Sequence, residues 1–268
     1  MVMRNFGRVA EVIAGGKTFS MKEFNLEASV PFDSDTLPNE SEIKLWNLSE
    51  DSLNLFRKKK DNDPPIPLRL NAGYEGDVGL LFSGYISSVQ TVWDGVDKVT
   101  TIHVLDSLRK DTQQEISFAK GTYGSAIIRQ LAQQANLPVA MLKLVRDYRY
   151  EDGYSASDTL VSMISQVAED CQTRAYISKG KLYVRSLREG ASNLIQLDKT
   201  NGMIGLPEYF EENGLKGYRL KQQLQYRVTI GTVMELSSFI FQGKLYVQGG
   251  THRISRSGDF MTECEAVL

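Results

Sequence analysis

The segment from Ile66 to Leu105 constrains this chain more than any other. A short alternating run, Leu68-Arg69-Leu70-Asn71-Ala72, breaks at Gly73-Tyr74-Glu75-Gly76-Asp77, and a long run from Leu80 to Val92 follows. Asp94-Gly95 then leads into a last run, Val99 to Leu105. Alternation with a period of two marks half-buried strands, and Asp-Gly between two such runs is a strong hairpin signal. Leu80, Phe82, Gly84 and Ile86 share one face of the long run, whereas Val89 and Trp93 fall on the opposite phase. A strand that exchanges its apolar face midway is bulged or sharply coiled there, and Gly84 and the Ser87-Ser88 pair are the expected places. Such strands wrap around a small barrel or pass between two sheets, so an antiparallel barrel or sandwich is expected.

The segments before it read in the same way. Residues 4–31 predict a first hairpin, in which Phe6, Val9 and Val12-Ile13 lead to Gly15-Gly16, and Phe19, Met21, Phe24, Leu26, Ala28 and Val30 run on to Pro31. Gly-Gly supplies the positive φ angles of a tight turn. Ile43 and Leu45 predict a short strand with Trp46 on its other face. Ser49 reads as the N-cap of a helix with Glu50 and Asp51 in its first turn and Leu53, Leu55 and Phe56 as its stripe. Arg57-Lys58-Lys59-Lys60 would close that helix, where cations suit its dipole; a solvated helix end is the simpler reading than a contact with DNA or an acidic surface.

After Leu105 the period changes. Ile127, Ile128, Leu131, Ala132 and Ala135 predict a helix from about Thr122, stopped by Asn136 and Pro138. A second helix is expected from about Ser157 through Leu160, Val161, Ile164, Val167 and Ala168, with Asp158 supporting its start. Between them lie Tyr148, Tyr150 and Tyr154 among charges, an arrangement open to sugar or nucleotide binding but commoner as a protein contact or covered loop. Ala175-Tyr176-Ile177 and Leu182-Tyr183-Val184 flank a turn at Lys179-Gly180-Lys181 and predict a hairpin. The last third returns to strands: Tyr226 to Met234, Phe239-Ile240-Phe241, Gly243 to Ile254, and Phe260 to Val267 after Ser257-Gly258-Asp259. A long glycine-bearing strand, a Gly/Asp turn and a final strand repeat the plan of residues 66–105. The expected fold class is α+β, mainly β: two antiparallel β-barrels, residues 1–108 and 191–268, flanking a small α+β insertion, residues 109–190.

With 268 residues, 41% of them hydrophobic and 24% charged, the chain can bury a substantial core. A formal net charge of −2 argues against a nucleic-acid coat. Cys171 and Cys264, far apart and outside any CxxC, predict two reduced core cysteines rather than a disulfide framework or a zinc site. No apolar run approaches membrane-spanning length, and Met1 to Phe6 lacks an apolar signal core, so a cytoplasmic product awaiting assembly is expected. His103 and His252 occupy corresponding strand positions in the two halves and read as packed histidines, not general bases. Gly73 to Gly79 lacks a lysine and precedes a strand, which removes it as a phosphate loop. Glu208, Glu211 and Glu212 suggest paired carboxylates but read as a solvated linker. No catalytic, cofactor-binding or metal-ligating residue is expected, and no cofactor.

Three segments together resemble the baseplate or tail hub proteins of tailed bacteriophages and contractile injection particles. These are the strand and capped helix from Ile43 to Leu55, the pair Asn71-Ala72-Gly73-Tyr74 and Leu81-Phe82-Ser83-Gly84-Tyr85-Ile86, and the closing hairpin from Gly243 through His252 to Thr262. The resemblance implies two tail-tube-like β-barrels per subunit. It further implies a homotrimer whose six barrels form a pseudo-sixfold ring between a hexameric tail tube and a threefold spike. Implied partners are the tail tube protein, distal tail or baseplate proteins and a separate spike or tip protein, in a virion tail through which DNA passes without specific binding. Near-neutral charge suits such a channel, since a strongly basic bore would hold DNA phosphate. The alternatives are a carbohydrate-binding or wall-degrading module built on Tyr148–Tyr154, and a hexameric distal tail protein.

Overall fold

The structure, a computed structural model, describes residues 6–34, 36–57, 63–107, 113–189, 194–212 and 214–268. Alternating apolar residues build the first strands: β1 (Arg8–Ala14), β2 (Lys17–Ser20), β3 (Leu26–Phe32) and β4 (Glu40–Trp46). Leu26 and Ala28 of β3 pair with Leu45 and Ile43 of β4, all four buried. Gly15 and Gly16 turn β1 into β2 at φ of 57° and 78°. The hairpin expected over residues 4–31 ends sooner. The amides of Glu23 and Phe24 donate to the Ser20 carbonyl at 3.0 and 2.9 Å, turning the chain, and β3 leaves to pair with β4. Residues 4 and 5 lie outside the described residues.

Helix α1 (Glu50–Asn54) starts at Ser49, whose hydroxyl accepts the Ser52 amide at 3.3 Å, as the capping residue predicts. It stops at Asn54, before Arg57, and Lys58 to Lys60 lie outside the described residues. Strands β5 (Pro67–Tyr74), β6 (Asp77–Asp94) and β7 (Asp97–Leu105) form the central meander. The register of β6 shifts twice, with Leu81 unpaired against β5 and Ser87 unpaired against β7. Ser87 is one of the two expected breaks. The bulge at Leu81 corrects the expected face: Leu81 and Phe82 are both buried, while Leu80 is turned outward. Gly84 is no break; an added Cβ there would run into the Leu105 carbonyl oxygen. The β6–β7 turn is the two-residue Gly95-Val96, with glycine first at φ 63°.

The middle of the chain forms β8 (Gln114–Phe118), β9 (Thr122–Tyr123), α2 (Gly124–Gln134), β10 (Val139–Leu142), β11 (Arg149–Tyr150), β12 (Tyr154–Asp158), α3 (Leu160–Asp170), β13 (Arg174–Ser178) and β14 (Lys181–Arg185). The apolar stripes of α2 and α3 meet in a core of their own with Leu182 and Val184. Helix α3 begins later than Ser157. Ser157 and Asp158 pair with β8, and the Thr159 hydroxyl caps the helix by accepting the Ser162 amide at 3.2 Å.

The last third contains β15 (Leu194–Asp198), β16 (Glu208–Glu212), β17 (Leu215–Gln223), β18 (Val233–Ser237), β19 (Gln242–Ser255) and β20 (Phe260–Val267). Glu208 to Glu212 is thus a strand, not a linker. Its charges meet partners on β17, Glu211 with Lys216 at 3.0 Å and Glu212 with Arg219 at 2.7 Å. Tyr226 to Ile230, expected as a strand, turns instead, with the Val228 amide donating to Gln225 and the Thr232 amide to Thr229, both at 3.0 Å. Phe239 to Phe241 likewise forms the turn between β18 and β19.

Among the described residues, thirteen strands form one sheet in the order β16-β17-β20-β19-β3-β4-β7-β6-β5-β1-β2, with β18 on β19 and β15 on β18. The mainly β class is as expected, and the two β units share this one sheet. β19 pairs with β18 through its first half and with β3 through its second, so the sheet runs unbroken from one β unit into the other. Each unit keeps its own core, one built mainly from β1 to β7 and one from β15 and β17 to β20.

Candidate functional site

The two β units repeat one pairing order: β3-β4-β7-β6-β5 in the first and β16-β17-β20-β19-β18 in the second. Counted from the bulged Ser87 and Gln248, the registers agree residue for residue. Ser88↔His103, Val89↔Ile102 and Thr91↔Thr100 stand where Gly249↔Glu265, Gly250↔Cys264 and His252↔Thr262 stand in the second unit. Glu42↔His103 and Ile43↔Ile102 are likewise matched by Arg219↔Glu265 and Leu220↔Cys264. Even a cross-strand polar bond recurs: Thr91 and Thr100 hydroxyls at 3.2 Å, His252 Nδ1 and Thr262 Oγ1 at 2.9 Å.

Where the units meet, β19 from Gly250 to Ser255 pairs with β3 from Phe32 to Glu27. Ile254 and Phe260, at the end of the second unit's hairpin, are buried in the core of the first. Arg8 of β1 holds that hairpin end, donating to the Gly258 and Ser255 carbonyls at 2.7 and 3.2 Å with its guanidinium 5.4 Å from the Phe260 ring centroid. His252 stacks on Phe32 with centroids 4.8 Å apart. Burial, aided by the Lys179 charge, pushes this imidazole down to about 3, so it is neutral at pH 7. A second clasp joins β6 to the loop after β17. Arg227 grips Asp77 through two nitrogens, at 2.6 and 2.7 Å, and the Tyr226 hydroxyl donates to the same carboxylate at 2.9 Å. Arg227 holds the Asp77 carboxyl below its usual range. The Tyr226 ring lies where a side chain on Gly79 would stand.

The face of this sheet turned away from the cores is polar across both units, because neighbouring residues of a strand point to opposite sides. It carries charges of both signs in mutual contact: Arg219 to Glu265 at 2.9 Å, Lys221 to Glu263 at 3.1 Å, Arg253 to Glu263 at 3.0 Å and Lys44 to Glu42 at 3.0 Å. At the rims, among the described residues, β2 and β15 are paired on one side only, and so are two further stretches that correspond in the repeat to the β19–β3 junction. β6 from Ser88 to Asp94 pairs only with β7, and β16 pairs only with β17. Trp93, on the first of these, is 73% exposed, and Tyr209, on the second, is 52% exposed.

The family described as baseplate hub gp41 matches residues 8–243. The chain belongs to this family. It is a structural component of a virion tail baseplate, not an enzyme. No curated protein sequence matches it. Among solved structures, it is similar to a tail protein from Neisseria meningitidis MC58, with a TM-score of 0.70 at 10% identity over 98% of this chain and 97% of that one. A 43 kDa tail protein of prophage MuSo2 from Shewanella oneidensis gives 0.69 at 7% identity, over 98% and 97%. An Escherichia coli component of the type VI secretion system, described as similar to T4 tail proteins gp27 and gp5, gives 0.64 at 8% identity, over 96% of this chain and 76% of that one. At these identities the likeness is one of fold.

In this hub protein the residues that sequence reading singles out are not gathered at one place. Glu208, Glu211 and Glu212 lie on the β16 edge, and Glu211 and Glu212 are taken up by Lys216 and Arg219. Tyr148, Tyr150 and Tyr154 stack edge to face at 4.8 and 5.2 Å, and the Tyr150 hydroxyl is held by Asp170 at 2.6 Å. Burial and that carboxylate push the Tyr150 phenol up, so the cluster reads as packing beneath α3. The expected correspondence of the two histidines is corrected: His103 takes the place of Glu265 and His252 that of Thr91. Only His252 is packed, while His103 sits part-exposed on the polar face, 3.8 Å from Glu40. Both cysteines are buried, and burial raises both thiols, Cys264 to about 12. Among the described residues, no group of three His, Cys, Asp or Glu could hold a metal, and no helix is long and apolar enough to cross a membrane. Sequence reading misses Asp77, Tyr226, Arg227 and Phe32, whose partners lie far away along the chain. The Gly79-to-Tyr226 fit left no local signal.

Proposed function

We propose that three copies of this hub protein close into a ring of six β units. The ring joins a hexameric tail tube to a threefold spike or tip, beside other baseplate proteins, and surrounds the passage by which DNA leaves. In this reading the chain divides at residues 1–108, 109–190 and 191–268 into a tube-like unit, an α+β insertion and a second tube-like unit. The single observation that carries it is the repeated register: one chain presents the same strand arrangement twice, side by side in one sheet. A protein built so can match a sixfold neighbour with three copies and a threefold neighbour with the same three.

The mixed-charge sheet face is the side we assign to the passage. Its acids and bases neutralise one another locally, so phosphate meets neither a basic track that would hold it nor an acidic wall that would refuse it. The test is direct. Light scattering of the purified chain, with class averages of stained particles, is expected to give trimers with an open centre and six lobes. A chain that stays monomeric at all concentrations, or closes around no passage, overturns the reading.

A further inference from the structure

The internal repeat leaves one junction formed and its counterpart empty. Within the chain, β19 beyond its bulge pairs with β3, and Ile254 at the end of β19 is buried in the neighbouring unit. Among the described residues, the same stretch of β6, beyond its own bulge, has no partner on that side, and the strand equivalent to β3 is β16, whose outer edge is also open. Trp93 stands where Ile254 stands. We infer that the distal half of β6 adds to the β16 edge of a second copy of this chain, in the register of β19 on β3, with Trp93 as the anchor that Ile254 is within the chain. This rests on the ring reading above and names the contact that closes it.

Arg253↔Ser29 and Ile254↔Ala28 pair within the chain. Transferring the repeat places Val92 opposite Glu208 of the next copy, and Trp93 opposite its Pro207 beside Tyr209. The occupant is a second copy because the chain already carries both halves of the contact, each shaped like a half that is joined elsewhere in the same molecule. The contact is head-to-tail, so it either closes into a ring or runs on as a filament. Exposed main-chain edges on both sides explain how it forms with little apolar area beyond the tryptophan.

Cysteine trapping tests this, since Cys171 and Cys264 are buried. Paired strand residues lie about 5 Å apart at Cα, within reach of a disulfide, and a three-residue slip adds roughly 10 Å. Under mild oxidation the double variant Val92→Cys/Glu208→Cys is expected to give disulfide-linked dimers and trimers. Val92→Cys/Glu211→Cys, three residues out of register, is expected to give none, and neither is either single variant. Trp93→Asp is expected to keep the melting curve of the unassembled chain and to weaken self-association at least about tenfold. Rings visible in images without the Val92–Glu208 product, or a stronger product in the slipped frame, overturn this contact and leave the ring standing. Absence of rings altogether overturns the ring.

Discussion

Trp93 at the end of β6 and Ile254 at the end of β19 hold the same place in the repeat, yet the first is 73% exposed and the second 2%. Their strands share a bulge position, a partner register and a cross-strand polar bond. What differs is the neighbour. β19 finds β3 within its own chain, so its tip residues Ile254 and Phe260 become core residues of the other unit. Among the described residues β6 finds no such strand, and its tip stays in solvent. Equal backbone geometry therefore does not set burial; the strand across the edge does.

Four measurements distinguish a hairpin tip buried by its neighbour from one left in solvent. Phe260→Ala is expected to cost about 3–5 kcal/mol in urea unfolding of the dilute, unassembled chain, because it empties a buried site where the ring packs on Tyr74 of β5 beside Arg8 of β1. A cost below about 1 kcal/mol would mean that the second hairpin is not anchored in the first unit. Acid is expected to act on the same junction. His252 is neutral when folded, with its pKa near 3 against an ordinary 6.5. The unfolded chain therefore binds the proton first, and stability falls as pH drops from about 6.5 towards 3, by about 2 kcal/mol at pH 5. His252→Thr, which gives the second hairpin the residue type found at Thr91, is expected to remove that pH dependence; an unchanged slope sinks the assignment. Arg227→Ala is expected to cost about 1–2 kcal/mol, since the Asp77 pair is bidentate but a third or more exposed. A double-mutant cycle with Asp77→Ala should show coupling between the two. Smallest is Trp93→Ala, expected to stay within about 0.5 kcal/mol in the unassembled chain. A large loss there would make Trp93 a core residue like Ile254.

Much of the strand plan is legible before any coordinates. The alternation in β3, the Ser49 cap, the Gly15-Gly16 turn, the break at Ser87 and the helical stripes around Ile128 and Ile164 all follow from local periodicity and steric preference. What escapes is equally specific. β16 and β17 carry Glu211, Glu212, Lys216, Arg219 and Lys221, long charged side chains that ion-pair across strands and so hide an extended segment behind a polar composition. Leu80 misleads because a bulge at Leu81 leaves no mark in the residue types flanking it. Arg227 and Asp77 are 150 residues apart, and Ser255 pairs with Glu27 across 228. No window of local sequence contains both partners.

By itself the sequence determined where the chain extends, bends and coils, because those choices depend on side chains within a few residues of one another. Tertiary structure alone decided that the two β units share one sheet, that Ile254 is buried while Trp93 is not, and that Gly79 must admit the Tyr226 ring. Each of these is set by which distant strand lies across an edge, and hydrogen-bonding edges carry no sequence of their own until something pairs with them.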